Sequence, residues 1–239
     1  MPKFEFCLPT LGKNLPAGPE WLHEIEYDGY RMRVERDGDR VRLITRGAKR
    51  YPWIVESALK NRYKQFVIDG EAVILGVDGI SDFNALHSGK HNCEVRLYSF
   101  DILALDGDDL RTLPLSMRNA HLERLLARRP DGIFISPFEQ GEIGPDLFRA
   151  ACNMGLEGLV SKRRDRPYRG GRSKHSHPAM ERGERVVLIK CRQSGDQRPV
   201  SAFVLRIRLM HRSVHCPGKL RATIRFTIDY VPRMMRRKM

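Results

Sequence analysis

No run of about 18 apolar residues occurs anywhere in the 239 residues, which excludes a membrane-spanning helix by hydropathy. The opening Met1-Pro2-Lys3-Phe4-Glu5-Phe6 lacks the apolar core of a secretion signal, so a cytoplasmic protein with no membrane partner is expected. Cysteines number five (Cys7, Cys93, Cys152, Cys191, Cys216), and none stands in a Cys-x-x-Cys pair. Scattered reduced thiols are therefore expected, not a metal knuckle or a disulfide framework. His175-x-His177 and His211-x-x-x-His215 beside Cys216 have ligand-like spacing but lack a second Cys or an acidic partner, so loop or surface histidines are expected there. No Gly-x-x-x-x-Gly-Lys-Ser/Thr phosphate loop, internal repeat or coiled-coil heptad is found.

What is present suffices for a real core, with 41% hydrophobic residues. The formal charge of +14 points to a polyanionic partner, because neutralising phosphates releases counterions. That charge is uneven: residues 200–239 hold ten Lys or Arg against Asp229 alone, a net +9, leaving +5 for the remainder. A solvated basic extension with no particular target is the plain alternative.

Periodicity predicts strands at 21–27, 30–36 and 40–45, the last two joined by the turn signal Asp37-Gly38-Asp39. A helix is expected at 51–63, a strand at 66–75, a short helix at 82–87 and a strand at 95–104. The clearest helix is 116–129, which Ser116 could cap. A helix at 145–154 then leads to a strand at 158–162, and 186–192 reads as a short strand after a loop-like segment. Without a steady βαβ period, the fold class is α+β with antiparallel sheets flanked by helices.

The stretch Glu24-Ile25-Glu26-Tyr27-Asp28-Gly29-Tyr30-Arg31 resembles the nucleophile motif of the covalent nucleotidyltransferases: ATP-dependent DNA ligases, RNA ligases and mRNA capping enzymes. Four further segments match in order. Asp69-Gly70-Glu71, Tyr98-Ser99-Phe100-Asp101, Glu157-Gly158-Leu159-Val160-Ser161-Lys162 and the loop from Arg163 to Lys174 are similar to the acidic, base-stacking, metal-and-phosphate and pre-terminal motifs. The lead-in Trp21-Leu22-His23 and the loop Pro167 to Lys174 point to the adenylation domain of ATP-dependent DNA ligases of the bacterial stand-alone or end-joining type.

The resemblance implies ATP and Mg²⁺ as cofactors, DNA nicks or ends as partner, and a role in DNA repair and recombination. It also implies roles: Glu24 at the adenine edge, Arg31 and Glu71 at the sugar, Phe100 under the base, Lys162 and Lys190 on phosphates, and Glu157 on the metal. In the family a Lys at the position of Glu26 attacks the α-phosphate and holds AMP as a phosphoramidate, which a carboxylate cannot form. Clustering Glu24, Glu26, Glu71 and Glu157 should raise a carboxylate pKa or attract a divalent cation.

Two more departures stand out. The family's last motif, a Trp-x-Lys-x-Lys strand, should follow Ser173-Lys174 directly; Val186-Val187-Leu188-Ile189-Lys190 is that strand displaced, or the motif is missing, and the loop-like approach favours its absence. About forty residues follow Pro199, too few for the oligonucleotide-binding barrel of such ligases, roughly a hundred residues long. The expected organisation is an adenylation domain at 1–192 and a basic extension at 193–239. The expected function is ligase-like with impaired self-adenylylation; the alternative is a non-catalytic nucleic-acid-binding remnant.

Overall fold

Two sheets carry the structure. The computed structural model describes residues 3–45, 50–128, 131–172, 186–191, 207–210 and 223–226. Contacts divide the chain into one unit from Met1 to Gln193 and another from Ser194 to Met239.

In the first unit the strands are β1 (Cys7–Leu8), β2 (Thr10–Leu11), β3 (Trp21–Glu26), β4 (Tyr30–Asp37), β5 (Arg40–Ile44), β6 (Gln65–Val73), β7 (Arg96–Leu105) and β8 (Asp108–Asp109). They continue with β9 (Ile133–Ile135), β10 (Phe138–Gln140), β11 (Gly158–Arg163), β12 (Gly171–Arg172) and β13 (Val186–Lys190). The helices are α1 (Pro52–Lys60), α2 (Phe83–Ser88), α3 (Leu115–Leu126) and α4 (Gly144–Asn153).

One sheet runs β5-β4-β6-β7-β8, with β9 added in parallel to β7; the other runs β10-β3-β11-β13-β2. Most ladders are antiparallel, so the α+β expectation holds, and among the described residues no sheet closes into a barrel. The main core is the first sheet's covered face: Met32, Val34, Ile68, Leu97 and Ile102 pack with Ile54 of α1, Leu86 of α2 and Leu122, Leu125 and Leu126 of α3, all buried.

One sequence expectation needs revision. Ser116 does not cap α3, whose N-cap is Pro114 without a side-chain bond. The first-turn N–H groups of Leu115 and Ser116 instead donate to the carbonyls of Arg166 and Arg164, tying the helix start to the turn after β11. The short strand expected at 186–192 is present as Val186–Lys190, in the second sheet, paired with β11 from Gly158↔Lys190 to Lys162↔Val186. Short β2 pairs in parallel with it.

In the second unit, β14 (Ile207–Met210) pairs antiparallel with β15 (Thr223–Phe226). The polar connection at 46–49, the loop from Ser173 through His175 and His177, His211, His215, Cys216 and most of the basic extension lie outside the described residues.

Candidate nucleotide site

A cavity of about 220 Å³ is lined from both sheets: Glu24 and Glu26 of β3, Arg31 of β4, Glu71 of β6, Phe100 of β7, and Glu157 and Lys162 at β11. Seven of the eight residues singled out from sequence are thus brought together. The eighth, Lys190, stands at the edge of this group through its contacts to Glu26 and Glu157.

Strand register explains the pairing of acids and bases. β3 and β11 run antiparallel with Val160 opposite Glu24 and Lys162 opposite Leu22, so Glu24 and Lys162 are diagonal neighbours on one face. Lys162 Nζ donates to both Glu24 oxygens at 2.7 Å, with both residues buried. The same ammonium lies 4.0 Å from the centre of the Phe100 ring, and the Arg31 guanidinium lies 4.5 Å from it.

Phe100 faces the cavity because of a β-bulge. On β6, Asp69 and Gly70 are consecutive, yet they pair with Asp101 and Ser99, leaving Phe100 without a partner. Strict alternation would send Phe100 and Asp101 to opposite faces; the bulge lets both line the cavity. Gly70 is required opposite it, since a Cβ there would meet the Tyr98 carbonyl oxygen at 2.5 Å.

Arg31 is held at its fork by Asp69, at 2.8 and 2.9 Å, and Tyr168 Oη donates to the same carboxylate at 3.0 Å. Asp101 receives Arg118 of α3 in a second buried fork at 2.7 and 2.9 Å. Asp69, Asp101 and Tyr168 fall inside the motifs quoted from sequence, but their pairings with Arg31 and Arg118 do not show there, because each partner lies many residues away.

Glu26 sits in a different environment from Glu24. Gly158 lies between Glu26 and Lys190 in one cross-strand row, and a Cβ on it would collide with the Ile189 carbonyl oxygen. Lys190 Nζ reaches to 3.8 Å from Glu26 Oε1 and 3.2 Å from Glu157 Oε2, while Glu26 Oε2 is buried without a partner. Burial pushes the Glu26 carboxyl up to about 7, with Lys190 pulling it down and Glu157 adding to the rise. Burial likewise pushes Glu71 up to about 8, against the pull of Arg31. Burial, more than the clustering of acids, is thus the cause of both rises.

Residues 11–177, which hold all of these site residues but Lys190, match the family described as "ATP dependent DNA ligase domain". The chain belongs to that ligase family. A multifunctional non-homologous end joining protein LigD of Pseudomonas aeruginosa is 32% identical over 215 residues, covering 85% of this chain and 26% of that protein. A DNA ligase of Natronomonas pharaonis is 32% identical over 183 residues, covering 69% of this chain and 33% of that protein. The ligase-family chain therefore spans only a quarter to a third of these relatives.

A solved mycobacterial DNA ligase D complexed with ATP and MES superposes with a TM-score of 0.62 at 29% identity, covering 77% of this chain and 59% of that one. Chlorella virus DNA ligase-adenylate shares the fold, with a TM-score of 0.54 at 17% identity over 89% of this chain and 74% of that one.

Among the described residues no three His, Cys, Asp or Glu gather as a metal cage. Mg²⁺ in phosphate chemistry needs only one or two carboxylates besides phosphates and water, a demand the half-buried Glu157 can meet. One covalent feature departs from the thiol expectation. Cys152, in the last turn of α4, is joined in a disulfide to Cys191, which follows Lys190 directly. The partners are 39 residues apart, so no spacing rule pointed to them. Cys7 takes part in no disulfide.

Proposed function

We propose that this chain is the nucleotide-handling part of a DNA-joining protein, in which Glu24, Arg31, Glu71 and Phe100 receive an adenylate and Lys162 and Lys190 meet its phosphates. The observation that supports this best is the convergence of these residues, scattered from position 24 to position 190, on one cavity and its edge. Glu157 would hold Mg²⁺, which when bound would neutralise charge growing on the α-phosphate. Lys190 reaches the same row of the sheet as Glu26, so we assign β13 as the displaced last motif, reduced to one lysine.

In this reading Glu26 stands at the nucleophile position and self-adenylylation is impaired. Sealing of a nick whose 5′-phosphate already carries AMP needs no amine nucleophile and is retained at a low rate. The test supplies such pre-adenylylated nicked duplex with Mg²⁺ and follows joined strand and released AMP. No joining at any enzyme concentration would refute retained sealing. The second reading, a non-catalytic nucleic-acid-binding remnant, draws on the net +9 of residues 200–239. It requires that deleting those residues abolish the salt-dependent part of DNA affinity.

A further inference from the structure

A second concavity, of about 180 Å³, lies away from the nucleotide cavity, where the C-terminal ends of α1 and α3 meet. Its wall carries Lys60, Arg62, Arg124 and Arg128, all exposed, together with Asn61 and Leu125; no acidic residue lines it. Among the described residues none of the four cations makes an ion pair. Among the described residues Arg62 donates to the Tyr63 hydroxyl at 2.9 Å and lies 4.7 Å from that ring's centre, and Arg124 meets the His121 ring at 2.8 Å.

Cations at a helix C-terminus usually serve the exposed carbonyls there. At α1 that role is already filled. The buried Arg36 donates through Nη1 to the carbonyls of Ala58, Asn61 and Tyr63 at 2.6, 2.7 and 2.9 Å. The groove's floor is rigid as well, because Asn61 Nδ2 donates to the Leu125 carbonyl at 2.8 Å and locks the two helix ends together. Four like charges on a fixed floor, with no local work to do, repel one another and focus a positive field. The contrast is the groove at the β4–β5 turn, where Arg40 and Lys64 share the wall with Asp37, Asp39 and Asp106.

We infer that the Lys60–Arg62–Arg124–Arg128 groove binds the phosphate backbone of duplex DNA, as a contact separate from the nucleotide cavity. The inference rests on DNA being the partner, which both functional readings share. Arg118 of α3 lines the cavity and Arg124, six residues on, lines the groove, so one helix contributes to both.

The experiment measures affinity of the full chain for nicked duplex across a salt series. It compares the wild type, the fourfold variant Lys60→Gln/Arg62→Gln/Arg124→Gln/Arg128→Gln and a control, Arg40→Gln/Lys64→Gln. At about 0.9 per neutralised phosphate, the fourfold variant should lose three to four from the slope of log affinity against log salt. The control should keep the wild-type slope, and all three should show the same thermal transition, since every substituted side chain is exposed. An unchanged slope in the fourfold variant, or an equal loss in the control, overturns the groove as a DNA contact and leaves the function standing. Absence of DNA binding by the wild type overturns both.

Discussion

Replacing Glu26 by Gln should change how stability depends on pH, by an amount the geometry allows one to work out. Burial raises the Glu26 carboxyl from its ordinary 4.5 to about 7. The folded protein therefore holds a proton that the unfolded chain releases, so the cost of Glu26 to stability grows as pH rises from about 4.5 and reaches its full value above about 7. At about 1.4 kcal/mol per pH unit, the ionised side chain costs the fold roughly 3 kcal/mol. Its side chain is only 19% exposed, so solvent screening removes little of this.

Gln keeps the shape and never ionises, so the variant and the wild type should be close in stability near pH 5. At pH 8.5 the variant should be the more stable by roughly 3 kcal/mol, about 6 to 12 °C in Tm for a unit of this size. The Glu71 carboxyl, raised to about 8, titrates in both proteins, so the variant's curve still slopes, only less. Thermal unfolding across pH 5 to 8.5 checks this. Curves that stay parallel over the whole range would show that Glu26 is not held in a costly place, and the account of the cavity's charge would fail.

Restoring an amine by Glu26→Lys should yield protein labelled by α-labelled ATP and Mg²⁺, with label that survives denaturation and exceeds that on the wild type; equal labelling of the two would remove the case for impairment at position 26. The neighbouring Lys190 would hold part of the new lysine unprotonated, as such attack needs. Lys162→Met should destabilise the fold by about 3 to 5 kcal/mol, because it leaves the Glu24 carboxylate buried and unpaired; denaturant unfolding would read it. Cys152→Ser should cost about 3 to 4 kcal/mol under oxidising conditions, the loop-closure value for a 39-residue separation, and nothing in excess reductant.

Much of this site was legible in the sequence because its pieces are local: an acidic residue at a strand end, an aromatic two residues after a tyrosine, a Glu and a Lys five apart. What the sequence hid were the facts that need two distant segments at once. The Glu24–Lys162 pair follows from the offset between β3 and β11, and Phe100 enters the cavity through a bulge that no alternation pattern announces. The strand Val186–Lys190 is legible from its apolar run, but its place beside β11 is not, since a loop-like segment separates the two in sequence. β9 and β10, three residues each, were too short for any periodicity to emerge.

The parallel ladder between β2 and β13 bears on how the protein is made. Thr10 pairs with Val187 and Leu11 with Leu188, so almost the first residues of the unit wait for almost the last before that edge of the sheet can form. Contacts this far apart are slow to close and come late in folding. As the chain leaves the ribosome, the sheet that carries Glu24 and Glu26 must therefore stay unfinished, with its edge open to aggregation, until β13 emerges. The edge that closes this sheet is thus completed only once residues nearly 180 positions apart have met.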